Sequence, residues 1–570
     1  MKKKREKNVS ISGSETLLKS LLEEGVDTIF GYPGGAIMPV FDALYDYRKE
    51  LNHILVRHEQ GAIHAAQGYA RASGKAGVVF VTSGPGATNT ITGIADAMID
   101  STPLVVISGQ VVSSLLGTDA FQEIDIVGIS QPVTKWSYQI RKVDNVSWAV
   151  AQAFHIATTG RPGPVVLDFT KDAQLATTNY YYQKCHSIRS YIPSPKANPE
   201  NVRQAAELIN AAKRPFALVG QGVELGNAEN ELRSFIEKAQ IPAAWTLLGA
   251  SVLPSEHPLN KGMLGMHGNL APNLKTNECD VLIAIGMRFD DRVTGNLNEY
   301  ARQAKIIHFD IDPSEINKNV SVNVHVLGNV KTTLPAVESL LKTAKHEKWI
   351  ESFDIVNQEE YDKVIEPEIY CNREAISMGE VVRTVADATN GDAIIVTDVG
   401  QNQMMGARYS KWKSPRSFIS SGGLGTMGFG LPAAIGAKIG MPSRTVCLFC
   451  GDGGMQMCIQ ELGTIMQSKV KIKIIILNNK YLGMVRQWQE MFHNKRYSET
   501  PMLNPDFVKL AESYRIKARK VSKRDDLEDA VKEMLAHNGS YLLEVDVEKK
   551  GMVFPMTPAG TSVTNVILEK

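Results

Sequence analysis

Short apolar runs that end in Gly, Asp or Asn recur along this 570-residue chain, and they constrain its fold more than any other feature. In the first third of the chain, helix-forming segments such as ETLLKSLLEEG and AIHAAQGYARASG lie between them. Strands that alternate with helices predict parallel sheets with crossover helices. We therefore predict an α/β protein made of doubly wound parallel sheets. The first runs are LNHILVRHE (51–59), AGVVFVTSG (76–84) and PLVVISGQ (103–110), and the last of that third lies in GRPGPVVLDFTKD (160–172).

The pattern occurs in three blocks, and 570 residues exceed what one domain usually spans. We predict domains at 1–180, 200–345 and 371–550. The segments 181–199 and 346–370 are predicted linkers, and 551–570 is a predicted C-terminal tail. The second block contains FALVGQG, VLIAIGMRFDD and KIIHFDIDP; the third contains DAIIVTDVG, TVCLFCGDGG and VKIKIIILNN.

The first and third blocks repeat one arrangement of strand, Gly-rich turn, helix and strand. VVFVTSGPG followed by PLVVIS corresponds to TVCLFCGDGG followed by KIKIIILNN. Two interpretations stay open at this point: any two doubly wound domains look alike, or the blocks are a duplicated pair that shares one ligand.

Composition excludes several classes of function. Lys and Arg number 62 against 61 Asp and Glu, so there is no basic surplus of the kind that binds nucleic acid or anionic membranes. The six cysteines do not form two CxxC pairs, which argues against a zinc or redox site. The start, MKKKREKNVSIS, is basic without an apolar stretch, and no window approaches the roughly 20 apolar residues of a membrane span. We expect a cytoplasmic protein whose partners are small molecules and other protein chains.

Gly451-Asp452-Gly453 and Asn478-Asn479 close two successive apolar runs. A carboxylate and a carboxamide at adjacent strand ends are suitable ligands for Mg²⁺, which also prefers phosphate oxygens and water. The following segment, MQMCIQELGTIMQ, is a predicted helix that would direct its positive end at a diphosphate. The alternative is that these polar residues only terminate strands.

The run GDGG…NNKYLGMVRQWQ resembles the thiamine-diphosphate signature of the acetolactate synthases, also called acetohydroxyacid synthases. Other segments resemble that family in the same order along almost the whole chain: FGYPGGAIMPVFDAL, RHEQGAIHAAQGYARASG, TSGPGATN, GTDAFQE, TGRPGPVVLD, MLGMHG, RFDDRVTG and SGGLGTMGFGLPAAIGA. The resemblance implies a pyrimidine-binding domain, a central FAD-binding domain and a diphosphate-binding domain in the three blocks. It also implies the biosynthetic, FAD-containing branch of the family.

By this resemblance, Asp452 and Asn479 hold Mg²⁺ through their side chains and Tyr481 through its backbone carbonyl. Glu59 bonds the aminopyrimidine ring of the cofactor and favours loss of the thiazolium C2 proton. Met427 is the apolar wedge that bends the cofactor. Without the resemblance, Glu59 would be read as a solvated charge and Met427 as core filler. The remaining implied contacts of thiamine diphosphate are Gly35, Val399, Gly400, Gln401, Asn402, Gly425, Gly451, Gly453, Gly454, Leu482, Gly483 and Met484.

The middle block carries the implied FAD site. Arg288, Asp290 and Arg292 lie in RFDDR after an apolar run, where arginines can neutralise a pyrophosphate, and Asp310 ends the next run, where it could bond a ribose. The GQG glycines alone would be a poor dinucleotide signature. The other implied FAD contacts are Arg161, Gly220, Gly222, Thr246, Leu247, Met266, His267, Gly286, Ile311 and Asn329.

The implied reaction decarboxylates pyruvate and transfers the two-carbon unit to pyruvate or 2-ketobutyrate, in the first common step of valine, leucine and isoleucine biosynthesis. Trp488 would shape the pocket for the second substrate, although packing alone is the plain alternative. Gln122 and Lys171 would lie near the access channel. The family's cofactor lies between two chains, which implies a homodimer or tetramer, and a small regulatory subunit is the further expected partner.

Four positions depart from the family pattern. Val112 stands where Pro is common, Asn402 replaces a usual His, Met405 lies near a usual Trp, and Asn329 replaces a common Asp. An FAD-dependent pyruvate oxidase is the nearest alternative function. Glyoxylate carboligase is disfavoured because Glu59 is present, and a non-enzymatic scaffold because Asp452 and Asn479 are present too.

Overall fold

The computed structural model describes residues 10–569 and contains the three parallel sheets that the sequence predicts. The basic start of the chain, residues 1–9, lies outside the described residues. Within residues 10–569, each of these sheets has six strands, and all neighbouring strands in them run parallel. The predicted fold class is therefore confirmed.

The first sheet has the strand order β3-β2-β4-β5-β7-β6, and β1 pairs separately with β8 in antiparallel fashion. Helix α1 begins with a capping box in which Ser12 and Glu15 satisfy each other's backbone N–H groups. The strands are β1 (Ser10–Ser12), β2 (Thr28–Gly31), β3 (Asn52–Leu55), β4 (Gly77–Val81), β5 (Leu104–Gln110), β6 (Trp136–Ile140), β7 (Pro164–Thr170) and β8 (Thr177–Asn179). The helices are α1 (Gly13–Glu23), α2 (Met38–Tyr47), α3 (Glu59–Ser73), α4 (Pro85–Thr88), α5 (Ile91–Ile99), α6 (Ile126–Ser130), α7 (Val146–Thr158) and α8 (Lys171–Leu175).

The central sheet has the order β11-β10-β9-β12-β13-β14. Counted within the sheet, this is 3-2-1-4-5-6, the order of dinucleotide-binding folds. Its strands are β9 (Pro215–Val219), β10 (Ala243–Trp245), β11 (Asn260–Met263), β12 (Val281–Ile285), β13 (Lys305–Asp310) and β14 (Val324–Leu327). Its helices are α9 (Pro199–Ala211), α10 (Gly222–Leu225), α11 (Glu229–Ala239), α12 (Leu270–Thr276), α13 (Asp291–Thr294), α14 (Val330–Glu338), α15 (Glu347–Glu360) and α16 (Glu366–Ile369).

The third sheet has the order β16-β15-β17-β18-β20-β19. Counted within each sheet, the first and third sheets share the order 2-1-3-4-6-5, whereas the central one differs. A shared order is what the duplication interpretation predicts. The strands are β15 (Ile394–Thr397), β16 (Phe418–Ile419), β17 (Val446–Gly451), β18 (Lys473–Asn478), β19 (Lys517–Val521) and β20 (Tyr541–Asp546). The helices are α17 (Met378–Ala388), α18 (Gln401–Tyr409), α19 (Gly430–Gly440), α20 (Asp452–Gln456), α21 (Leu462–Ser468), α22 (Gly483–Phe492), α23 (Phe507–Ser513) and α24 (Leu527–Ala536).

The chain forms two compact units. The first contains the described residues up to Ile192, together with Gly423–Pro442 and Cys458–Val470. The second contains Pro193–Gly422, Ser443–Met457 and the described residues from Lys471 onward. The first unit thus includes α19 and α21, although both helices belong to the third block of the sequence.

Helix α3 packs against α19 inside the first unit with almost no room between the two backbones. A Cβ on Gly68 would lie 2.0 Å from the carbonyl oxygen of Ala433, and one on Gly436 would lie 1.7 Å from that of Ala65. Only glycine allows such an approach at these two positions. The alanine-rich sequence of α3 is therefore explained by a helix that is buried on every side from Gly61 to Ala72.

Residues 177–179, near the end of the first predicted domain, form β8 because their backbone pairs with β1. Two details differ from the sequence-based expectation. MQMCIQELGTIMQ is not one helix but α20, a 3-10 turn at Ile459–Glu461, and α21. The predicted C-terminal tail packs closely, since Val553 and Met556 are fully buried and Thr557 donates its backbone N–H to Met266.

Two expected absences can be examined only in residues 10–569. None of the helices there is long and apolar enough to cross a membrane. The six cysteines are all free thiols.

Asp168 is a fully buried carboxyl group on β7. Its Oδ2 accepts hydrogen bonds from Nε2 of Gln139 at 2.7 Å and of Gln110 at 3.2 Å. Its Oδ1 is buried and has no hydrogen-bond partner in the described part of the chain. Burial raises the pKa of Asp168 from 3.8 to about 7, against the opposing effect of the two glutamine amides.

We expect Asp168→Asn to change stability in a pH-dependent way. A folded-state pKa above the unfolded value means that the protonated group favours folding, and that this contribution is lost as the pH rises from 3.8 through about 7. Because asparagine cannot ionise, the variant should gain on the wild type by roughly 1.4 kcal/mol per pH unit from pH 5 to about pH 7, and little more by pH 8. Urea unfolding of both proteins at pH 5 and pH 8 measures this, and a pH-independent difference would contradict it.

Candidate active site

Many of the predicted site residues follow the carboxyl ends of sheet strands, and several of them lie next to the points where the strand order reverses. These points lie between β2 and β4, between β9 and β12, and between β15 and β17. Open α/β sheets bind ligands in the crevice at such a point. Each sheet therefore offers one candidate crevice, and the predicted residues are grouped around all three.

Glu59 is the first residue of α3, and a turn of three residues separates it from the end of β3 at Leu55. His58 caps the helix by accepting the backbone N–H of Gln60 at its Nδ1. The carboxylate is half-buried, and its Oε2 accepts a hydrogen bond from Nδ2 of Asn89 at 3.0 Å. Its Oε1 lies 3.4 Å from the place where a Cβ on Gly86 would be. Glu59 thus has a fixed side chain at a helix N-terminus, which favours a negative charge.

Of the other predicted residues of the first unit, Gly35, Gln122 and Lys171 follow strands of its sheet, whereas Gly425 and Met427 precede α19. Gly35 is exposed, with open space where a side chain would be, and its carbonyl accepts Nζ of Lys171 at 3.2 Å. Gln122 has a positive φ of 59° and packs against the turn at Gly84. Gly425 is exposed with φ of 70°, and Met427 is half-buried. The structure therefore brings Gly35 and Lys171 together.

Asp452 begins α20, directly after Gly451 at the end of β17, and it is 1% exposed. Its Oδ2 accepts Nδ2 of Asn504 at 2.6 Å, and the same amide donates to Oδ1 of Asn478 at 2.9 Å. Burial raises the pKa of Asp452 to about 6, while the Asn504 hydrogen bond opposes this rise. The carboxyl group is thus held between two strand ends by an asparagine that the sequence did not indicate.

A network of buried amides surrounds the predicted diphosphate contacts. Asn479 donates from Nδ2 to Oε1 of Gln401 at 3.2 Å and accepts the backbone N–H of Tyr481 at 3.0 Å. Gln401 donates in turn to Oε1 of Gln487 at 3.1 Å. A Cβ on Gly483 would lie 2.2 Å from Oε1 of Gln401, so a larger residue here would displace the Gln401 side chain. The turn that carries Asn479 and Tyr481 is fixed by these contacts.

Gly400 and Gly451 face each other across the switch point of the third sheet. Gly400 has φ of 126°, a conformation that is available only to glycine without strain. Asn402 lies beside both glycines and donates from Nδ2 to the carbonyl of Phe449 at 3.1 Å. Backbone N–H groups of such a turn can approach an anion closely. Val399, Gly453 and Gly454 are the adjoining residues.

The donor set fits a cation that is shared with a phosphorylated ligand. In the part of the chain that the structure describes, no group of three or more His, Cys, Asp and Glu side chains could hold a metal ion. Around Asp452 there is instead one carboxylate, which the NH₂ group of Asn504 connects to the amide oxygen of Asn478. Mg²⁺ sites commonly use one or two carboxylates and complete the octahedron with phosphate oxygens and water.

Trp488 lies on α22, the helix that follows Leu482, Gly483 and Met484. It is half-buried, and its ring packs against Phe492 with centroids 5.1 Å apart. Phe492 lies one turn further along the same face of α22, so Trp488 has an aromatic packing partner. The contact is compatible both with a pocket wall and with plain packing.

The central sheet has the close glycine packing that a dinucleotide requires at its switch point. Gly220 donates its N–H to Ile285, and Gly222 donates to Gly286. A Cβ on Gly220 would lie 2.1 Å from the carbonyl oxygen of Gly286. The strand ends of β9 and β12 thus present bare backbone, which allows a pyrophosphate to approach.

Several predicted FAD contacts also cap helices or hold turns by hydrogen bonds. Asp290 caps α13 by accepting the N–H of Arg292, whose side chain is exposed. Asn329 caps α14 by accepting the N–H of Lys331. The aspartate that is common at this position in the family would cap the helix equally well. Asp310 ends β13, and its Oδ1 accepts the N–H of Asp312 at 2.8 Å. The further predicted contacts of this unit are Thr246, Leu247, Met266, Arg288 and Ile311, and Arg161 belongs to the first unit.

His267 is a buried imidazole in this region. Burial and the nearby Arg408 lower the pKa of His267 to about 4, so the ring is neutral at physiological pH. Its Nδ1 is buried and has no hydrogen-bond partner among residues 10–569. A buried polar atom without a partner marks a place for a ligand. The glycine cradle and this atom together fit FAD.

Two departures from the family pattern are accommodated without strain. Val112 has φ of −62°, a value that proline shares, and it precedes the 3-10 turn Ser113–Leu115. Met405 is 4% exposed in the core of the second unit.

Three residues that the sequence analysis missed contact the predicted ones. They are Asn89, which bonds Glu59; Asn504, which bonds Asp452; and Gln487, which bonds Gln401. Asn89 and Asn504 lie in loops far from their partners in the sequence, and no local signal marks them. Gln487 lies on an otherwise amphipathic helix, where a buried amide cannot be told from an exposed one.

Comparison with known proteins identifies the same three domains. Family models described as the N-terminal, central and C-terminal domains of thiamine pyrophosphate enzymes match residues 11–129, 202–337 and 398–545. A probable acetolactate synthase large subunit of Methanocaldococcus jannaschii is 45% identical over 98% of this chain and 95% of its own length. The large subunit of acetolactate synthase isozyme 2 of Escherichia coli is 43% identical over 98% of this chain and 100% of its own. An acetolactate synthase large subunit of Lactococcus lactis is 44% identical over 96% and 95%.

Proposed function

The chain belongs to the family of acetolactate synthase large subunits, and we propose that it decarboxylates pyruvate and joins the two-carbon unit to a second 2-keto acid. With pyruvate as acceptor the product is 2-acetolactate, and with 2-ketobutyrate it is 2-aceto-2-hydroxybutyrate. This is the first common step of branched-chain amino acid biosynthesis. The full-length likeness to proteins named for this activity is the observation that carries the proposal.

Thiamine diphosphate is the cofactor of this enzyme class. When bound, it supplies the carbon nucleophile and takes up the electron pair that loss of CO₂ leaves behind. We propose that Gly400, Asn402, Gly451 and Gly453 hold its diphosphate through backbone and amide donors. Val399, Gln401, Gly454, Leu482, Gly483 and Met484 adjoin them, and Gly35, Gly425 and Met427 complete the proposed set.

Glu59 is the proposed catalytic residue. Its carboxylate has the fixed position that a proton-sharing role requires, since Asn89 bonds one oxygen and Gly86 leaves space beside the other. A carboxylate in hydrogen-bond contact with the cofactor's aminopyrimidine stabilises the form that removes the C2 proton. Gln122 and Lys171, at the same sheet edge, are the proposed lining of the substrate channel.

Mg²⁺ and FAD are the further proposed cofactors. Asp452 and Asn479 would bind Mg²⁺ through side chains and Tyr481 through its carbonyl. The central sheet would bind FAD at the switch point formed by Gly220, Gly222 and Gly286. The 3-2-1-4-5-6 strand order and the unpartnered Nδ1 of His267 support this assignment.

The proposed active assembly is a homodimer or tetramer in the cytoplasm, joined by a small subunit. The relatives are named large subunits, which supports a smaller partner. An FAD-dependent pyruvate oxidase is not favoured, because these relatives carry acetolactate synthase names. Incubation with pyruvate, thiamine diphosphate, Mg²⁺ and FAD should yield 2-acetolactate without consumption of oxygen or a quinone. Acetate formed with consumption of an electron acceptor would overturn the proposal.

Glu59→Gln should slow both turnover and exchange of the cofactor's C2 proton by about 10²-fold or more, the usual size of a lost acid-base group. Folding and cofactor binding should stay intact, because glutamine keeps the shape of the side chain and can still accept from Asn89. Proton exchange followed by NMR measures the effect. Near-normal exchange in the variant would remove Glu59 from the mechanism.

Asp452→Ala should abolish activity at ordinary Mg²⁺ concentrations, because the metal loses its one carboxylate ligand. Titration calorimetry with Mg²⁺ and thiamine diphosphate measures the loss, and wild-type affinity would show that the metal assignment is wrong.

The same variant tests whether the active site is shared between two chains. If the cofactor lies between two chains, refolding an inactive Asp452→Ala chain together with an inactive Glu59→Gln chain should restore part of the activity.

Trp488→Leu should reduce the preference for 2-ketobutyrate over pyruvate as acceptor while decarboxylation continues. One additional methylene contact is worth only about 1 to 3 kcal/mol, yet this permits a clear preference. The ratio of the two products at matched substrate concentrations is the measurement. Phe492→Leu is the matched control, since it alters the packing partner of Trp488 but not the proposed wall. An unchanged ratio in Trp488→Leu would assign Trp488 to packing.

A further inference from the structure

A second buried carboxylate, that of Glu461, lies against the turn that carries Glu59. Both residues belong to the first unit. Glu461 is 1% exposed, and its Oε1 and Oε2 accept the backbone N–H of Arg57 at 3.1 and 3.3 Å. Nothing in the proposed chemistry uses this carboxylate. It contacts the backbone two residues before Glu59, where β3 has ended and α3 begins.

The same carboxylate also touches the chain on the other side of Glu59. A Cβ on Gly61 would lie 2.6 Å from Oε1 of Glu461, so glycine is what allows the carboxylate to lie there. Thr464 holds the other oxygen by donating from Oγ1 to Oε2 at 2.6 Å. Thr464 of α21, the helix that follows Glu461, therefore fixes the Glu461 side chain, which spans the turn between β3 and α3.

The side chain of Arg57 completes a reciprocal contact. Its guanidinium donates to the carbonyl of Gly463 at 3.2 Å and to Oε1 of Gln467 at 2.6 Å. Glu461 thus binds the backbone of Arg57, while Arg57 binds the helix that follows Glu461. A turn held from both directions has little freedom to shift.

Burying a carboxylate costs free energy unless hydrogen bonds satisfy its oxygens. Here the oxygens of Glu461 accept backbone N–H groups just before the start of α3. Burial raises the pKa of Glu461, while Thr464 and the N–H groups of Arg57 and His58 favour its charged form. The residue does not extend to the open edge of the sheet. Its contacts act on the backbone and not on a substrate.

We propose that Glu461 is a positioning residue that holds the turn from Arg57 to Gly61 and thereby directs Glu59 at the cofactor. This inference rests on the proposed role of Glu59 in catalysis. A misplacement of about 1 Å in a catalytic group can cost about 10²-fold in rate. The expected effect of losing Glu461 is therefore on the rate of proton removal and not on substrate affinity.

Three variants test the proposal in the full-length protein. Glu461→Ala should slow C2 proton exchange and kcat by about 10²-fold, with KM for pyruvate changed less than about threefold. Glu461→Gln keeps one acceptor oxygen and should lose roughly tenfold. Gly61→Ala places a methyl group against the carboxylate of Glu461 and should also slow C2 proton exchange, although Glu461 itself is unchanged. If Glu461→Ala fails to fold, the other two variants decide.

Asp168→Ala is the matched control, because it removes another fully buried carboxyl group of the same unit. The strand β7 that carries Asp168 is separated from β3 by β2, β4 and β5 in the sheet. Its C2 exchange rate should equal that of the wild type. Normal exchange in Glu461→Gln and Gly61→Ala, or equal slowing in the control, would overturn the proposal.

A readout without cofactor separates this inference from the proposed function. In the cofactor-free protein, the backbone amide of Arg57 should exchange with deuterium faster in Glu461→Ala than in the wild type, whereas amides of β7 should not change. If the wild type forms no 2-acetolactate, the proposed function fails while this measurement still stands. If acetolactate forms but amide exchange at Arg57 is unaltered, the positioning role fails alone.

Discussion

The close contact between α3 and α19 is the constraint on which the first unit depends. Because Gly68 and Gly436 each face a carbonyl oxygen, a side chain at either position would push the two helices apart. The helix that is fixed in this way begins with Glu59. Glycine and alanine in α3 therefore do more than fill a core. They determine where the carboxylate at its start can be.

Three doubly wound sheets place polar residues where their strands end, and the polar groups at these strand ends differ from one sheet to the next. The first and third sheets share one strand order, yet one presents a carboxylate that is suited to proton transfer and the other presents glycines, amides and Asp452. The central sheet has a different order and a bare glycine contact. Two sheets of the same strand order thus carry different polar groups at their strand ends.

The sequence predicted the architecture because fully buried parallel strands form continuous apolar runs that are easy to recognise. Short or partly exposed strands, such as β16 (Phe418–Ile419) and β19 (Lys517–Val521), lack that signal and were not recognised. Asp452 and Asn479 were predictable since each follows such a run. Asn504 and Asn89 were not, because their contacts depend on loop paths that no periodicity encodes. Glu461 was not predicted either: it is a charged residue in a predicted helical segment, and its partners appear only in three dimensions.

The hydrogen bond between Asn504 and Asp452 has a consequence for ion selectivity. Since Asn504 engages one lone pair of Oδ2, a cation bound by both oxygens of Asp452 would share Oδ2 with this hydrogen bond, whereas a cation bound through Oδ1 would not. Calcium ions use bidentate carboxylates in spacious shells of six to eight oxygens, whereas magnesium requires a compact octahedron. An amide donor on one oxygen of the carboxylate would therefore favour monodentate binding and the smaller ion. Discrimination between two abundant divalent cations would then reside in an uncharged side chain that itself binds neither.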